Sequence, residues 1–153
     1  MKKNYIYLTI LLIVTVIITL SLSNLYKRET TEISYSYEML NKITANEFEE
    51  YMIEHPDTII YIADKTNLDN NKFEKKFVNK LEKLNLLENV VYIEKEEMTK
   101  KIEELLKKNY SYEYKEKNLP IIIVISDAKV IENSIVQKDS DVNTIINYEV
   151  FEW

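Results

Sequence analysis

The side chains able to do chemistry crowd into one stretch, YIADKTNLDNNKF, running from Tyr61 to Phe73 with Glu74 directly after it. Its carboxylates, Asp64, Asp69 and Glu74, suggest a cation site or proton transfer. The spacing does not match an EF-hand loop, and the glycine that such a loop needs for its turn is absent. The three therefore read as solvated loop and helix carboxylates. Asn67, Asp69, Asn70 and Asn71 read most simply as a turn plus helix N-cap, because Asn and Asp satisfy free amides and tolerate left-handed backbone. The functional alternative is a helix N-terminus offering its amides to a ligand carboxylate or to a partner's backbone. His55 reads as an exposed helix-end residue, and Tyr110, Tyr112 and Tyr114 as partly buried rings with their hydroxyls in water.

Composition removes much of the remaining chemistry. The 153 residues include no Cys and one His, so thiolate nucleophiles, disulfides, iron–sulfur clusters, Cys-based zinc sites and most His-based schemes are excluded. There is no Gly either, which removes the P-loop and the dinucleotide fingerprint. Left-handed backbone positions are then expected to fall to Asn or Asp. Setting aside Lys2 and Lys3 leaves 18 basic residues against 26 acidic ones, a formal charge of −8 on the rest of the chain. Nucleic acid is not an expected partner. No cofactor and no metal are expected.

The elements that must position this stretch begin with a membrane segment. From Tyr5 to Leu22 the chain is uncharged and apolar, and continued to Leu25 it would span roughly 30 Å as a helix. A cleaved signal peptide competes, with Ser21 and Ser23 as a small-x-small site, but the run exceeds the usual apolar core of such peptides. The expected organisation is a transmembrane anchor over residues 1–25, a polar tether over 26–32 and one domain over 33–153. Lys2, Lys3 and the terminal amine favour the N-terminus inside and the domain outside the cell.

Beyond the tether the hydrophobic period alternates between that of strands and that of helices. A short strand is expected over Ile33–Tyr37. A helix follows the capping box Thr44–Glu47, then a central strand, TIIYIA, from Thr58 to Ala63. A helix from about Asn70 to Leu87 carries Phe73, Phe77, Leu81 and Leu84 on one side. A strand over Asn89–Ile93, a helix over Glu96–Lys108 and a central strand over Ile121–Ile125 come next. A turn then leads to an edge strand over Val130–Val136, and a last helix, capped by Asp139 or Ser140, runs to about Tyr148. The series β, α, β, α, β, α, β, β, α implies a mixed α/β sheet flanked by helices.

The opening stretch also resembles a motif. Thioredoxin-like proteins of Gram-positive bacteria, including bacteriocin transport accessory proteins, carry a pattern like Y-I-x-x-x-x-C-P-x-C-x-x-F at the end of the second strand. Tyr61, Ile62 and Phe73 match it, and the two cysteine positions fall on Asn67 and Asn70, so that CxxC has become NLDN. Leu119 and Pro120 stand where thioredoxins place a cis-proline facing the active-site turn. Local physics alone equally allows Pro120 simply to open a strand. The proline that usually follows the first cysteine is Leu68, and the buried acid six residues before it falls on Tyr61. The resemblance implies a thioredoxin-like fold over about residues 33–148, and a site unable to exchange disulfides.

Three readings of function follow. In the first, a membrane-anchored, redox-inactive domain binds a peptide or protein at the cell surface, in a groove formed by Asn67, Leu68, Asp69, Asn70, Leu119 and Pro120. By resemblance this would be an accessory to peptide export. The second is a structural subunit acting through its transmembrane helix, with Thr9, Thr15 and Thr19 as interhelical hydrogen bonders. The third is a non-redox enzyme using Asp64 and Asp69, for which the sequence offers no paired constellation.

Overall fold

The computed structural model describes residues 7, 11–20, 33–137 and 140–145, and the chain divides into two compact units, Met1–Glu32 and Ile33–Trp153. In the first, residues 11–20 are helical, and the hydroxyls of Thr15 and Thr19 donate to carbonyls of their own helix, those of Leu11 and Thr15, each at 2.8 Å. Among the described residues no helix is long and apolar enough to cross a membrane. Residues 1–6, 8–10 and 21–25 of the expected anchor, Thr9 included, and the tether over 26–32 lie outside them.

In the second unit the apolar runs become strands because each has a layer to bury on both faces. Strands β1 (Asn41–Lys42), β2 (Thr58–Ala63), β3 (Val90–Glu94), β4 (Ile121–Ser126) and β5 (Lys129–Ile135) form one sheet in the order β1-β3-β2-β4-β5. The first three are parallel, while β4 runs antiparallel to β2 and β5 antiparallel to β4. Every residue of β2 and β3 is buried. On one face Ile59, Tyr61, Tyr92 and Val124 pack against Phe73, Phe77 and Leu81 of helix α3 (Asn71–Lys83), with α1 (Tyr35–Met39) and Val142 of α5 (Val142–Ile145) on the same side. On the other, Ile60, Ile62, Ile93 and Ile123 pack against Phe48 and Met52 of α2 (Phe48–Glu54) and Ile102 and Leu106 of α4 (Lys100–Tyr110). At about 1.5–3 kcal/mol for each large apolar side chain, these two layers are the main favourable term. This strand order and direction, with helices on both faces, is a thioredoxin-like fold.

Several expected bounds move. Residues 33–37 are not a strand. Ser34 Oγ accepts the Tyr37 amide at 3.4 Å and caps α1, while Asn71 Oδ1 and Glu74 Oε2 take the amides of Tyr35 and Ser36 at 2.9 and 2.8 Å. These side-chain acceptors replace a strand ladder, so the first strand is the short β1, beside β3. The third long helix starts only at Lys100, after a 3-10 turn at Lys95–Glu97, where Thr99 supplies the cap. Helix α3 ends at Lys83 in a Schellman arrangement: Asn85 is left-handed (φ 56°), and the Leu86 amide donates to Leu81 O at 2.9 Å. Thr44 and Glu47 keep one half of the capping box, with the Glu47 carboxylate accepting the Thr44 amide at 2.8 Å. Left-handed positions do not all fall to Asn or Asp, since Ser111 and Ala128 join Asn85 and Asp127. The last expected helix is seen over Val142–Ile145, and its continuation toward Tyr148 lies outside the described residues.

Candidate functional site

The register puts the two expected site segments at one end of the sheet. Ile62 pairs with Ile121, so the residues one step beyond, Ala63 and Pro120, lie opposite each other, four residues before Asn67. The Leu119–Pro120 peptide is cis. Pro120 is buried, while Leu119 is half-buried against the core on the α2–α4 side. Leu68 is half-buried and belongs to neither core cluster. Among the described residues no hydrogen bond joins residues 67–70 to Leu119 or Pro120.

The turn between β2 and α3 is built from its own polar side chains. Asp64 Oδ1 accepts the Thr66 amide at 2.8 Å and its hydroxyl at 2.6 Å, and the Asn67 amide donates to Asp64 O at 3.0 Å. Asn67 Oδ1 accepts the Asp69 amide at 3.1 Å, which closes an Asx turn. Asn70 stands at the N-cap position, yet its buried side chain makes no cap bond, and Asn71 reaches away to Tyr35. The asparagines therefore form the turn as expected, but do not cap the helix with their side chains.

Strand β3 fastens this turn from the side. Lys95 Nζ pairs with Asp64 Oδ2 at 2.6 Å, and this cation, with the Thr66 bonds, holds the Asp64 carboxyl down at about 2. Glu94 accepts the Lys65 amide at 3.1 and 3.3 Å through its two oxygens. Burial pushes the Glu94 carboxyl up to about 7, and a hydrogen bond shared with Glu96 adds to the rise. Asp64 is thus a paired structural anion. Asp69 is exposed, and no hydrogen bond joins it to Asp64 among the described residues.

Glu74 is the residue that sequence reasoning misplaced. It is only 1% exposed, not solvated; Tyr61 Oη donates to its Oε1 at 2.9 Å and the Ser36 amide to its Oε2 at 2.8 Å. Burial, then the adjacent Glu74 carboxylate, pushes the Tyr61 hydroxyl well above its ordinary value, so it stays a donor. A buried acid is therefore present in the first turn of α3. A signal existed: position 74 falls within the apolar stripe of Phe73, Phe77, Val78 and Leu81. Close by, the buried hydroxyls of Ser36 and Tyr92 make no hydrogen bond within 3.5 Å among the described residues, although Ser36 faces the Tyr61 hydroxyl and Tyr92 that of Ser34.

The backbone offers a limited set of contacts to an extended ligand. The Leu119 amide donates to Glu116 O at 3.2 Å and the Pro120 carbonyl accepts from Val136 at 2.8 Å. The Leu119 carbonyl and the amides of Leu68 and Asn70 have no such partner among the described residues. His55, expected to be exposed, is half-buried at the end of α2, stacked on Tyr51 with its Nδ1 3.0 Å from Tyr51 O, whereas Tyr110, Tyr112 and Tyr114 are half-buried against the core as expected. No group of three or more potential metal-ligating side chains is found among the described residues.

No family model matches the chain, and no curated protein does. Among solved structures, one described as "a putative oxidoreductase with a thioredoxin fold" is 12% identical and aligns over 65% of this chain and 85% of its own, with a TM-score of 0.49. The fold assignment itself rests on the strand order and register above.

Proposed function

We propose that this chain is a membrane-anchored, redox-inactive thioredoxin-like module that binds an extended segment of a peptide or protein at the cell surface. What supports the proposal is that the cysteine-free turn and the Leu119–Pro120 segment lie at the same end of the sheet, each with backbone groups that have no backbone hydrogen-bond partner among the described residues. A bound strand would donate to the Leu119 carbonyl and accept from the Leu68 and Asn70 amides, as a strand added to a sheet edge does. The apolar side chains of Leu68 and Leu119 would flank it. Resemblance to transport accessory proteins makes a secreted peptide or its export machinery the partner class to test first.

The test is photo-crosslinking in living cells from Leu68 and, separately, from Leu119, with exposed Glu88 as the control position. The same species should be captured from both site positions and not from the control. Capture of unrelated species, or equal capture from Glu88, overturns the groove.

A further inference from the structure

The two edges of the sheet are unlike. At one, β1 is only two residues long and carries Lys42, which leaves little backbone for another strand. At the other, β5 runs for seven residues, and among the described residues no strand pairs with its open side. From Val130 to Val136 this edge reads VIENSIV, with one charged residue, Glu132, and no proline. Ile135 is 49% exposed. Of the devices that keep edge strands apart, β5 has one bulge: Glu132 pairs with Val124 and Val130 with Ile125, so Ile131 is the extra residue. Regular pairing is left to residues 132–136.

The ladder decides which backbone groups face outward. The Val136 amide donates to the Pro120 carbonyl at 2.8 Å, toward β4. Because the hydrogen-bonding direction alternates along an antiparallel strand, the backbones of Glu132 and Ser134 also face β4, while Asn133 and Ile135 turn their amides and carbonyls to the open side. Gln137, next in that series, has its amide taken by Ser140 Oγ at 2.8 Å. The regular open row is therefore Asn133 and Ile135, whose side chains share one face of the sheet.

We propose that two copies of this chain join edge to edge through β5, antiparallel about a two-fold axis at Ser134, so that their sheets become continuous. Asn133 of each copy then lies opposite Ile135 of the other, and every outward group of both residues enters a hydrogen-bonded pair. Moving the axis by one residue either way forfeits one of these pairs, since it enlists the bulged Ile131 or the engaged Gln137 instead. The two Ile135 side chains meet diagonally across the axis. The two Glu132 carboxylates stand roughly 13 Å apart along the strands, farther than salt lets exposed charges interact. A two-fold contact closes on itself, whereas β5 against β1 of a next copy would build an open filament on a two-residue edge. The pairing requires neither the peptide groove nor the anchor.

The chain has no cysteine, so one introduced at the axis reports on this contact alone. Ser134→Cys, in the full chain purified in mild detergent, sets two thiols on a non-hydrogen-bonded pair with Cα atoms about 4.5 Å apart, within disulfide range. Mild oxidation is expected to convert most of it to a covalent dimer, while Glu88→Cys at an exposed position stays a single chain on a denaturing gel. Sedimentation of the unaltered chain, corrected for bound detergent, should give the mass of two copies. Asn133→Pro removes an outward amide without touching the β4–β5 ladder, and Ile135→Lys sets two ammonium groups across the axis; each should lower that mass to one copy. Should Asn133→Pro fail to fold, Ile135→Lys and the disulfide decide. A single-copy mass for the unaltered chain overturns the pairing, as does equal disulfide yield from Ser134→Cys and Glu88→Cys. A dimer that persists in both variants overturns it in favour of another surface, the N-terminal segment included. Masses that grow past two copies with concentration overturn the closed two-fold arrangement.

Discussion

Two buried tyrosines on adjacent strands show how the same residue type can carry opposite energetic weight. The Tyr61 hydroxyl is one of the two donors to the buried Glu74 carboxyl, whereas the Tyr92 hydroxyl makes no hydrogen bond within 3.5 Å among the described residues. Tyr61→Phe strips a buried carboxyl of a donor and should lower unfolding free energy by about 1–3 kcal/mol; Tyr92→Phe removes a buried hydroxyl that makes no hydrogen bond and should leave unfolding free energy unchanged or raise it by up to about 1–3 kcal/mol. Urea melts of the two variants decide the point, and equal losses would show that ring packing, not the carboxylate, sets the cost. Glu94 gives a pH signature. Its carboxyl is raised from 4.5 to about 7, so between those values the folded chain holds a proton that the unfolded chain has released. Stability from this group is complete below 4.5 and is lost as pH rises through 7. Glu96, Lys65 and Tyr92 act on it directly, while Asp64 and Lys95 act on Glu96. Asp64, lowered from 3.8 to about 2, works in the other sense, stabilising above 3.8 and losing its effect toward 2, so the windows do not overlap. Glu94→Gln should flatten the fall in Tm between about pH 5 and 7. An unchanged slope in the variant would place the titrating group elsewhere.

Elements were legible in the sequence where the signal was local. The runs TIIYIA and IIIVI are buried on both faces and became the central strands. The segment from Ile33 to Tyr37 was misread because its alternation imitates a strand, while its amides are claimed by Asn71 and Glu74, more than 30 residues away. Glu74 was misread for the same reason: charge argues for solvent, and only the position of its neighbours on α3 argues for burial. At the site, the asparagine turn was visible from its composition, but which asparagine would be buried depended on packing between α1 and α3. The absence of glycine has its clearest consequence in the β4–β5 hairpin, where Asp127 and Ala128 both adopt positive φ, 49° and 55°, as a two-residue primed turn requires. Asp57 tolerates the strain by tying the turn down, accepting the Ser126 hydroxyl at 3.0 Å and the Asp127 amide at 2.8 Å. Left-handed alanine costs about 1–2 kcal/mol, part of which the looser unfolded chain of glycine cancels. Ala128→Gly should therefore raise stability by up to about 1 kcal/mol, read as a higher urea midpoint at unchanged slope. A lower midpoint would mean that the alanine methyl packs in a way the backbone does not require.

In the whole molecule, scaffold and chemistry come apart. The ends of β2 and β3, the start of α3 and the segment before β4 converge where open α/β sheets usually bind their ligands. At the two positions where the resemblance places cysteines, this chain carries Asn67 and Asn70. Asn67 is half-exposed and Asn70 buried, three residues apart on a turn that enters a helix. That spacing suits the Cα separation of about 4.4–6.8 Å which a disulfide spans, and the helix N-terminus favours a thiolate. The full chain carrying Asn67→Cys and Asn70→Cys together should close an intramolecular disulfide and speed insulin reduction by dithiothreitol, while the unaltered chain adds nothing to the rate with dithiothreitol alone. Asn67→Cys by itself should add much less, because a mixed disulfide must then be resolved by dithiothreitol from solution rather than by a neighbouring thiol. Insulin reduction by the unaltered chain would end the binding-only reading. Failure of the double variant to close its disulfide would end the equivalence of NLDN to a dithiol motif. A gain of turnover from two sulfur atoms would mean that the fold still holds the geometry of disulfide exchange, and that what separates a gripping module from a reacting one here is the identity of two side chains.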